Sequence, residues 1–263
     1  MDAKSIQVDE GTADMEFGLK DKGVIVTGGT RGIGFAIANA FAAEGANISI
    51  CGRTQVSLDA AKEKLARHGG TVHAAACDVG DSASLEVYMN DAHAALGRLD
   101  VLVNNPSGFG RTDDDEGWKR SIDIDLMPVV RGSHIAIPMI EQVGGGAIIH
   151  ISTISALTES MRTPPYGAIK AAVNHYTVTQ AKSLAPKGIR VNAICPGSIY
   201  FEGGVWDEAK KNNPELYANI LASIPSGRYG TPEEIAAVAV FLGSEGGRWV
   251  TGQAIAVDGG QAL

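Results

Sequence analysis

Basic residues are in the minority in this chain of 263 residues. Twenty-two Lys and Arg stand against 30 Asp and Glu, a formal charge of −8. Binding to a phosphate backbone relies on protein cations releasing counterions, so nucleic acid is excluded as an expected partner. Cysteine is scarce as well. Cys51, Cys77 and Cys195 lie far apart, which excludes a disulfide framework or a close-spaced metal motif and fits a reduced compartment. Six histidines form no pair at ligand spacing, so no metal is expected. No apolar run approaches the ~20 residues that span a bilayer, and the first 18 residues are too polar for the core of a signal peptide. A cytoplasmic protein without membrane contact is the expectation.

Glycine, by contrast, is plentiful. There are 33, yet 44% of the residues are hydrophobic, so the glycines serve turns in a packed protein rather than disorder. Short β-branched runs at 24–27, 48–51, 71–74, 101–104, 147–151, 191–194 and 254–257 read as seven strands. Between the first six lie segments of helical length at 33–44, 58–67, 82–96, 118–141 and 166–184. This alternation predicts an α/β fold, a single doubly wound (Rossmann) domain with a seven-stranded, mostly parallel sheet and helices on both faces. Thr231-Pro232-Glu233-Glu234 carries the hydroxyl, proline and carboxylate that start a helix. With no internal repeat or linker, one domain over residues 18–263 follows a tail at 1–17.

The informative glycines fall between the first strand and the first helix. In Thr27-Gly28-Gly29-Thr30-Arg31-Gly32-Ile33-Gly34, glycine permits positive φ and leaves room for a diphosphate, while the following helix supplies its positive end. Dinucleotide folds that prefer NAD place an acid about 20 residues onward to hold the ribose hydroxyls. Here Arg53, followed by Thr54, stands 19 residues beyond Gly34 and no acid is present. A guanidinium suits a 2′-phosphate, and Arg31 offers a second cation, so NADP(H) is expected. The alternative is that Arg53 and Arg31 are solvated surface charges.

The spacing of Gly28, Gly32 and Gly34, together with Tyr166-Gly167-Ala168-Ile169-Lys170, resembles the short-chain dehydrogenase/reductase family. The resemblance covers about residues 18–263. It implies an adenine contact at Asp78 and Val79, a cofactor-side turn at Asn104-Asn105-Pro106-Ser107, and further contacts at Pro196, Gly197 and the Ile199 backbone. It also implies a homotetramer, in which the segment around Val257-Asp258-Gly259-Gly260 and the following Gln261-Ala262-Leu263 form a subunit contact.

Tyr166 and Lys170 lie four apart, so on a helix they share a face. A neighbouring ammonium and an oxidised nicotinamide favour phenolate, which makes Tyr166 a proton donor to a ketone or an acceptor from an alcohol. By resemblance, Lys170 also holds the nicotinamide ribose. Two departures from the family pattern bear on catalysis. The serine that polarises the substrate oxygen is replaced by Thr153, thirteen residues before Tyr166, with Ser152 and Ser155 as the alternatives. The asparagine that props a water leading to the lysine is replaced by Asp125, 28 residues before Thr153. Asp125 either orients that water as an acceptor or marks a dispensable position.

A third departure lies beyond Pro196-Gly197, where the family often has a threonine that contacts the nicotinamide amide. The stretch from Tyr200 to Ile224 is the substrate lid by resemblance, and its Tyr200, Phe201, Trp206 and Tyr217 either contact an apolar or aromatic substrate or pack helices. Together these readings imply an oxidoreductase acting on a small secondary alcohol or ketone. The competing expectations are a 3-oxoacyl-carrier-protein reductase and a non-catalytic cofactor-binding regulator.

Overall fold

Seven strands form one sheet: β1 (Gly23–Val26), β2 (Asn47–Gly52), β3 (Val72–Ala76), β4 (Val101–Asn104), β5 (Gly146–Ile151), β6 (Ile189–Pro196) and β7 (Ala254–Val257). The computed structural model describes residues 17–263, so the tail expected at 1–17 lies outside the described residues except for Phe17. The order is β3-β2-β1-β4-β5-β6-β7, and every pairing is parallel. Helices cover both faces, so the central strands are continuous apolar runs; β1 and β4 are buried throughout. Asp100 fixes where those two begin. Its Oδ2 accepts from the Gly23 amide at 2.9 Å and from Arg98 Nε at 2.7 Å.

Nine helices are present among the described residues: α1 (Gly32–Ala43), α2 (Gln55–Ala66), α3 (Ser82–Leu96), α4 (Asp115–Ser121), α5 (Met127–Glu141), α6 (Pro164–Leu184), α7 (Val205–Asn212), α8 (Pro214–Ala222) and α9 (Pro232–Gly243). One core cluster joins α1, α2 and α9 to the sheet through Ile37, Phe41, Leu58, Leu65 and Ile235. The other contains Leu85 and Met89 of α3, Ile140 of α5 and Leu184 of α6. Each large side chain so buried stabilises the fold by roughly 1.5–3 kcal/mol. Thr231 and Glu234 form the reciprocal cap expected at α9.

The segment 118–141 departs from the single helix that its period predicts. α4 begins earlier, at Asp115, because Asp114 Oδ1 accepts from the Gly117 amide at 2.8 Å. A π turn, Ile122–Leu126, then separates α4 from α5. Pro128 has no amide hydrogen for the carbonyl of Ile124, and its ring crowds that carbonyl. The ladder widens, and the Met127 amide reaches back to the carbonyl of Ile122. The π turn carries Asp125, whose side chain is fully buried.

His150 on β5 supplies a test of the interior. Its Nδ1 accepts from Asn104 Nδ2 at 3.2 Å and its Nε2 donates to Gln180 Oε1 at 2.9 Å. Burial pushes its pKa down to about 4. The unfolded chain therefore takes up this proton first, and stability is lost as pH falls from about 6.5 to about 4, by on the order of 3 kcal/mol. Urea midpoints across that window should fall steeply in the wild type and less steeply in His150→Gln. Parallel curves would contradict this account of His150.

Candidate active site

The strand order reverses between β1 and β4, which opens a crevice at their carboxyl ends. Asn105 joins its two sides. Its amide donates to Thr27 Oγ1 at 3.0 Å, and its Nδ2 donates to the carbonyls of Thr27 and Gly28 at 3.3 and 3.1 Å. Gly28 and Gly32 have φ of +66° and +54°, and a Cβ at Gly34 would lie 2.3 Å from the Gly28 carbonyl oxygen. Glycine is required there by geometry. α1 starts at Gly32 with no side chain capping it, which leaves the amides of its first turn, near Ile33 and Gly34, for an anion.

Basic and hydroxyl groups surround that turn. Arg53 is exposed just beyond β2, and Thr54 caps α2 in position, its Oγ1 2.7 Å from Ser57 Oγ. Arg31 Nη1 donates to the Gly203 carbonyl at 3.3 Å. A cavity of about 370 Å³ is lined by Thr30, Arg31, Gly32, Ser57, Lys64 and Phe201, among others. Lys64 adds a cation that sequence reasoning missed; its place on α2, two turns beyond Ser57, was the available signal. Asp78 turns the chain after β3, accepting from the Gly80 amide at 3.0 Å, with Val79 half-buried beside it. At the end of β6 Pro196 is buried; beyond it, the Gly197 amide donates to the Val257 carbonyl at 3.1 Å, and Ile199 bridges to Gly230. The uncapped helix end, the glycine cradle and the adjacent cations fit a nicotinamide dinucleotide.

Asn104, expected at the cofactor, lies at the end of β4. Its side chain is buried and directed to Ser133 and His150, not to the crevice. Side chains alternate along a strand, so Asn105, one residue on, takes the crevice side.

Tyr166 and Lys170 stand one turn apart near the start of α6. Lys170 is 1% exposed, and its Nζ donates to the carbonyls of Pro106 at 3.1 Å and Ile151 at 2.9 Å. Asp125 Oδ1 lies 3.8 Å from the same nitrogen. Burial pulls the Lys170 ammonium down in pKa, and Asp125 opposes that. The Tyr166 phenol is driven well up, first by burial and then by Asp125, while the hydroxyls of Ser107 and Thr153 beside it act the other way. Of the three hydroxyls weighed from the sequence, Thr153 is the one that acts on the Tyr166 phenol. The Ser152 hydroxyl donates to the Lys170 carbonyl at 3.3 Å, and Ser155 gives its amide to Thr153 Oγ1 at 3.3 Å.

Two residues at this centre were given no catalytic role from the sequence. Ser107, read only as part of the turn after β4, carries a hydroxyl that draws the Tyr166 phenol down. The Phe109 ring meets Tyr166 edge-on at 5.0 Å between centroids. Phe109 has φ of +51°, unusual for a bulky residue, and its placement between Gly108 and Gly110 was a legible hint of a special turn. The Arg111 guanidinium lies over the Phe109 ring, 5.0 Å from its centroid, and a cavity of about 360 Å³ is lined in part by Gly108, Phe109, Arg111 and Arg120.

The rings of the segment 200–224 largely pack on one another. Tyr217 stacks on Tyr229 at 4.6 Å, Trp206 meets Tyr229 at 5.5 Å, and Tyr200 donates to Asp207 Oδ1 at 2.9 Å. Their number therefore carries no information about a substrate. Phe201 differs, since its ring covers Gly32: a Cβ on that glycine would fall 2.6 Å from it.

A family model described as Enoyl-(Acyl carrier protein) reductase matches residues 28–262. The chain belongs to the short-chain dehydrogenase/reductase family. Isoepoxydon dehydrogenase patN of Penicillium expansum is 38% identical, over 92% of this chain and 95% of its own. The solved structure of a 7α-hydroxysteroid dehydrogenase complexed with NADH and 7-oxo glycochenodeoxycholic acid superposes with a TM-score of 0.85 at 32% identity, covering 92% of this chain and 95% of that one. That of L-sorbose reductase from Gluconobacter frateurii, complexed with NADPH and L-sorbose, gives 0.87 at 33% identity, covering 94% and 98%. Within this short-chain dehydrogenase/reductase, two of the departures noted from the sequence lie at the Tyr166–Lys170 pair. Asp125 stands 3.8 Å from Lys170 Nζ and Thr153 acts on the Tyr166 phenol, while Phe201 closes over the glycine turn.

Proposed function

We propose that this protein is an NADP(H)-dependent oxidoreductase that interconverts a small secondary alcohol and the corresponding ketone. The observation that carries the reading is Tyr166 set one helical turn from the buried Lys170 on α6, with Phe109 edge-on against its ring, in a fold whose first helix begins at an uncapped glycine turn. The nicotinamide, when bound, supplies or accepts the hydride. Thr153 donates a hydrogen bond to the carbonyl oxygen, and Tyr166 delivers the proton that converts it to a hydroxyl. Lys170, through its positive charge, makes the phenol a better acid. In the oxidative direction Tyr166 takes that proton back.

Solved neighbours carry NADH in one case and NADPH in the other, so the choice of NADP(H) rests on this chain's residues. Gly34 is followed by Arg53 where an acid would hold the ribose. Replacing Arg31 and Arg53 together by alanine should weaken NADPH binding by roughly 10–100-fold, the value of one or two charge-assisted contacts, and leave NADH binding nearly unchanged. Fluorescence titration of both cofactors measures this; equal losses would refute the preference.

The ring beside Tyr166 is Phe109, which supports a substrate with an apolar or aromatic group next to its carbonyl. A panel of such ketones and alcohols, followed by nicotinamide absorbance, tests the reaction. A 3-oxoacyl-[acyl-carrier-protein] reductase of Chlamydia trachomatis that is 37% identical over 93% of this chain supports 3-oxoacyl groups on carrier protein as a second reading, and thioester substrates belong in the same panel. A regulator without turnover would not need the Tyr166–Lys170 pair. Buried, unpaired Cys51, Cys77 and Cys195 suit a reduced, cytoplasmic setting. The edge position of β7, with Trp249 96% exposed just before it, suits assembly into a homotetramer.

A further inference from the structure

The carboxyl of Asp125 is enclosed on every side. Its residue is fully buried, Oδ1 accepts from the Gly108 amide at 2.9 Å, and Oδ2 has no hydrogen-bond partner. The nearby Ser121 hydroxyl, on the last turn of α4, is likewise buried and unpartnered. Gly108 lets the chain pass closely, since a Cβ there would stand 3.2 Å from Oδ2. An isolated carboxylate in such a place costs several kcal/mol, and a neighbouring cation offsets part of it. Lys170, 3.8 Å away and 1% exposed, is that cation. Two of its three N–H bonds are held by the carbonyls of Pro106 and Ile151, so it has little freedom to leave.

We propose that Asp125 is a positioning residue that sets the protonation state of the catalytic pair: its carboxylate balances the charge of Lys170 and thereby keeps Tyr166 as the phenol, ready to give a proton to a carbonyl. This rests on the reading of Tyr166 as the proton donor. A lysine alone would favour phenolate, whereas a carboxylate beside it makes the local charge close to zero and penalises a second negative charge. The direction of the Asp125 influence on Tyr166 is upward, as this requires. The π turn is the device that delivers it, because it directs a residue between α4 and α5 toward α6.

The other charged and titratable groups around Asp125 do not reproduce this effect. On α6 the groups coupled to it are Tyr166 and Lys170 themselves; on β6, Cys195 is a thiol whose pKa burial raises. His150 on β5 is buried and neutral at physiological pH. Arg120 on α4 donates to the Gly108 carbonyl at 2.6 Å, and Asp123 on the π turn pairs outward with Lys119. Asp125 is the acidic group that the structure places against Lys170.

The test is an ultraviolet difference titration of tyrosinate in wild type, Asp125→Asn and Tyr166→Phe, run on the protein alone and saturated with NADP. The step absent from Tyr166→Phe belongs to Tyr166. It should begin at least about one pH unit lower in Asp125→Asn than in wild type, a tenfold change in the phenol–phenolate equilibrium. Asp125→Ser, checked by circular dichroism, should shift it the same way and guards against a folding defect of the first variant. With a ketone from the panel, the alkaline limb of NADPH-dependent reduction should move down by a similar amount. Superimposable titrations in wild type and both variants would overturn the proposal. If the panel gives no turnover while the titration shifts, the assigned reaction fails and the role of Asp125 stands.

Discussion

Tyr166→Phe should lower kcat for ketone reduction by roughly 10²–10⁴-fold, the usual value of a positioned acid, and leave NADPH affinity within a few-fold of wild type. The variant removes a single oxygen. The ring still packs edge-on against Phe109 at 5.0 Å and still lies under Lys170 Nζ, 5.8 Å from its centroid, so the fold and the cofactor crevice should persist. What disappears is the O–H whose acidity the Thr153 and Ser107 hydroxyls raise. A carbonyl accepting hydride would develop alkoxide charge with no proton at hand, so the loss should fall on kcat more than on KM. A variant that retains turnover would remove Tyr166 from the chemistry. Pre-steady-state absorbance changes with a ketone from the panel distinguish slow chemistry from slow release.

Lys170→Met should have the second-largest effect, and it should appear in stability as well as in rate. Methionine fills much of the same volume but leaves Asp125 as a fully buried carboxylate with its cation removed. Two carbonyls, of Pro106 and Ile151, also lose their donor. Breaking a buried pair in this way costs about 3–5 kcal/mol, because the surviving charge is uncompensated. In a domain of this size that lowers Tm by on the order of 10 °C. Lys170→Met combined with Asp125→Leu should regain most of the stability and none of the activity. Thermal unfolding of the two variants separates these contributions. If Lys170→Met alone melts at the wild-type temperature, the electrostatic coupling to Asp125 is absent.

The sheet was legible because parallel strands are buried on both faces. Runs such as Val24-Ile25-Val26 and Ala147-Ile148-Ile149 have no polar positions to blur them. The glycine turn was legible because φ of +66° at Gly28 and the close approach at Gly34 leave few alternatives to glycine. The helical period put Tyr166 and Lys170 on one face of a helix, and the family resemblance pointed to Thr153 and Asp125 as their companions. Neither could show which way each side chain turns. The π turn at Ile122–Leu126 depends on the missing amide of Pro128, and periodicity over 118–141 averages it away.

The remaining surprises also concern direction. Asn104 and Asn105 are identical in type and adjacent, and only the register of β4 with β5 tells which one faces His150 and which the glycine turn. Aromatic residues at 200, 206 and 217 read equally well as a substrate wall or as packing, and the stack of Tyr217 on Tyr229 decides for packing. Phe109 escaped notice because nothing in its sequence context announces a left-handed backbone at a bulky residue except the glycines on either side.

Transfer of label tests the central claim most directly. NADPH deuterated at the transferable position of the nicotinamide should be incubated with wild type or Tyr166→Phe and the ketone panel, and the products analysed by mass spectrometry. The account predicts an alcohol carrying one deuterium on the carbinol carbon with wild type, and at most a trace with Tyr166→Phe. Tight NADPH binding without deuterium in any product from the wild type would contradict it.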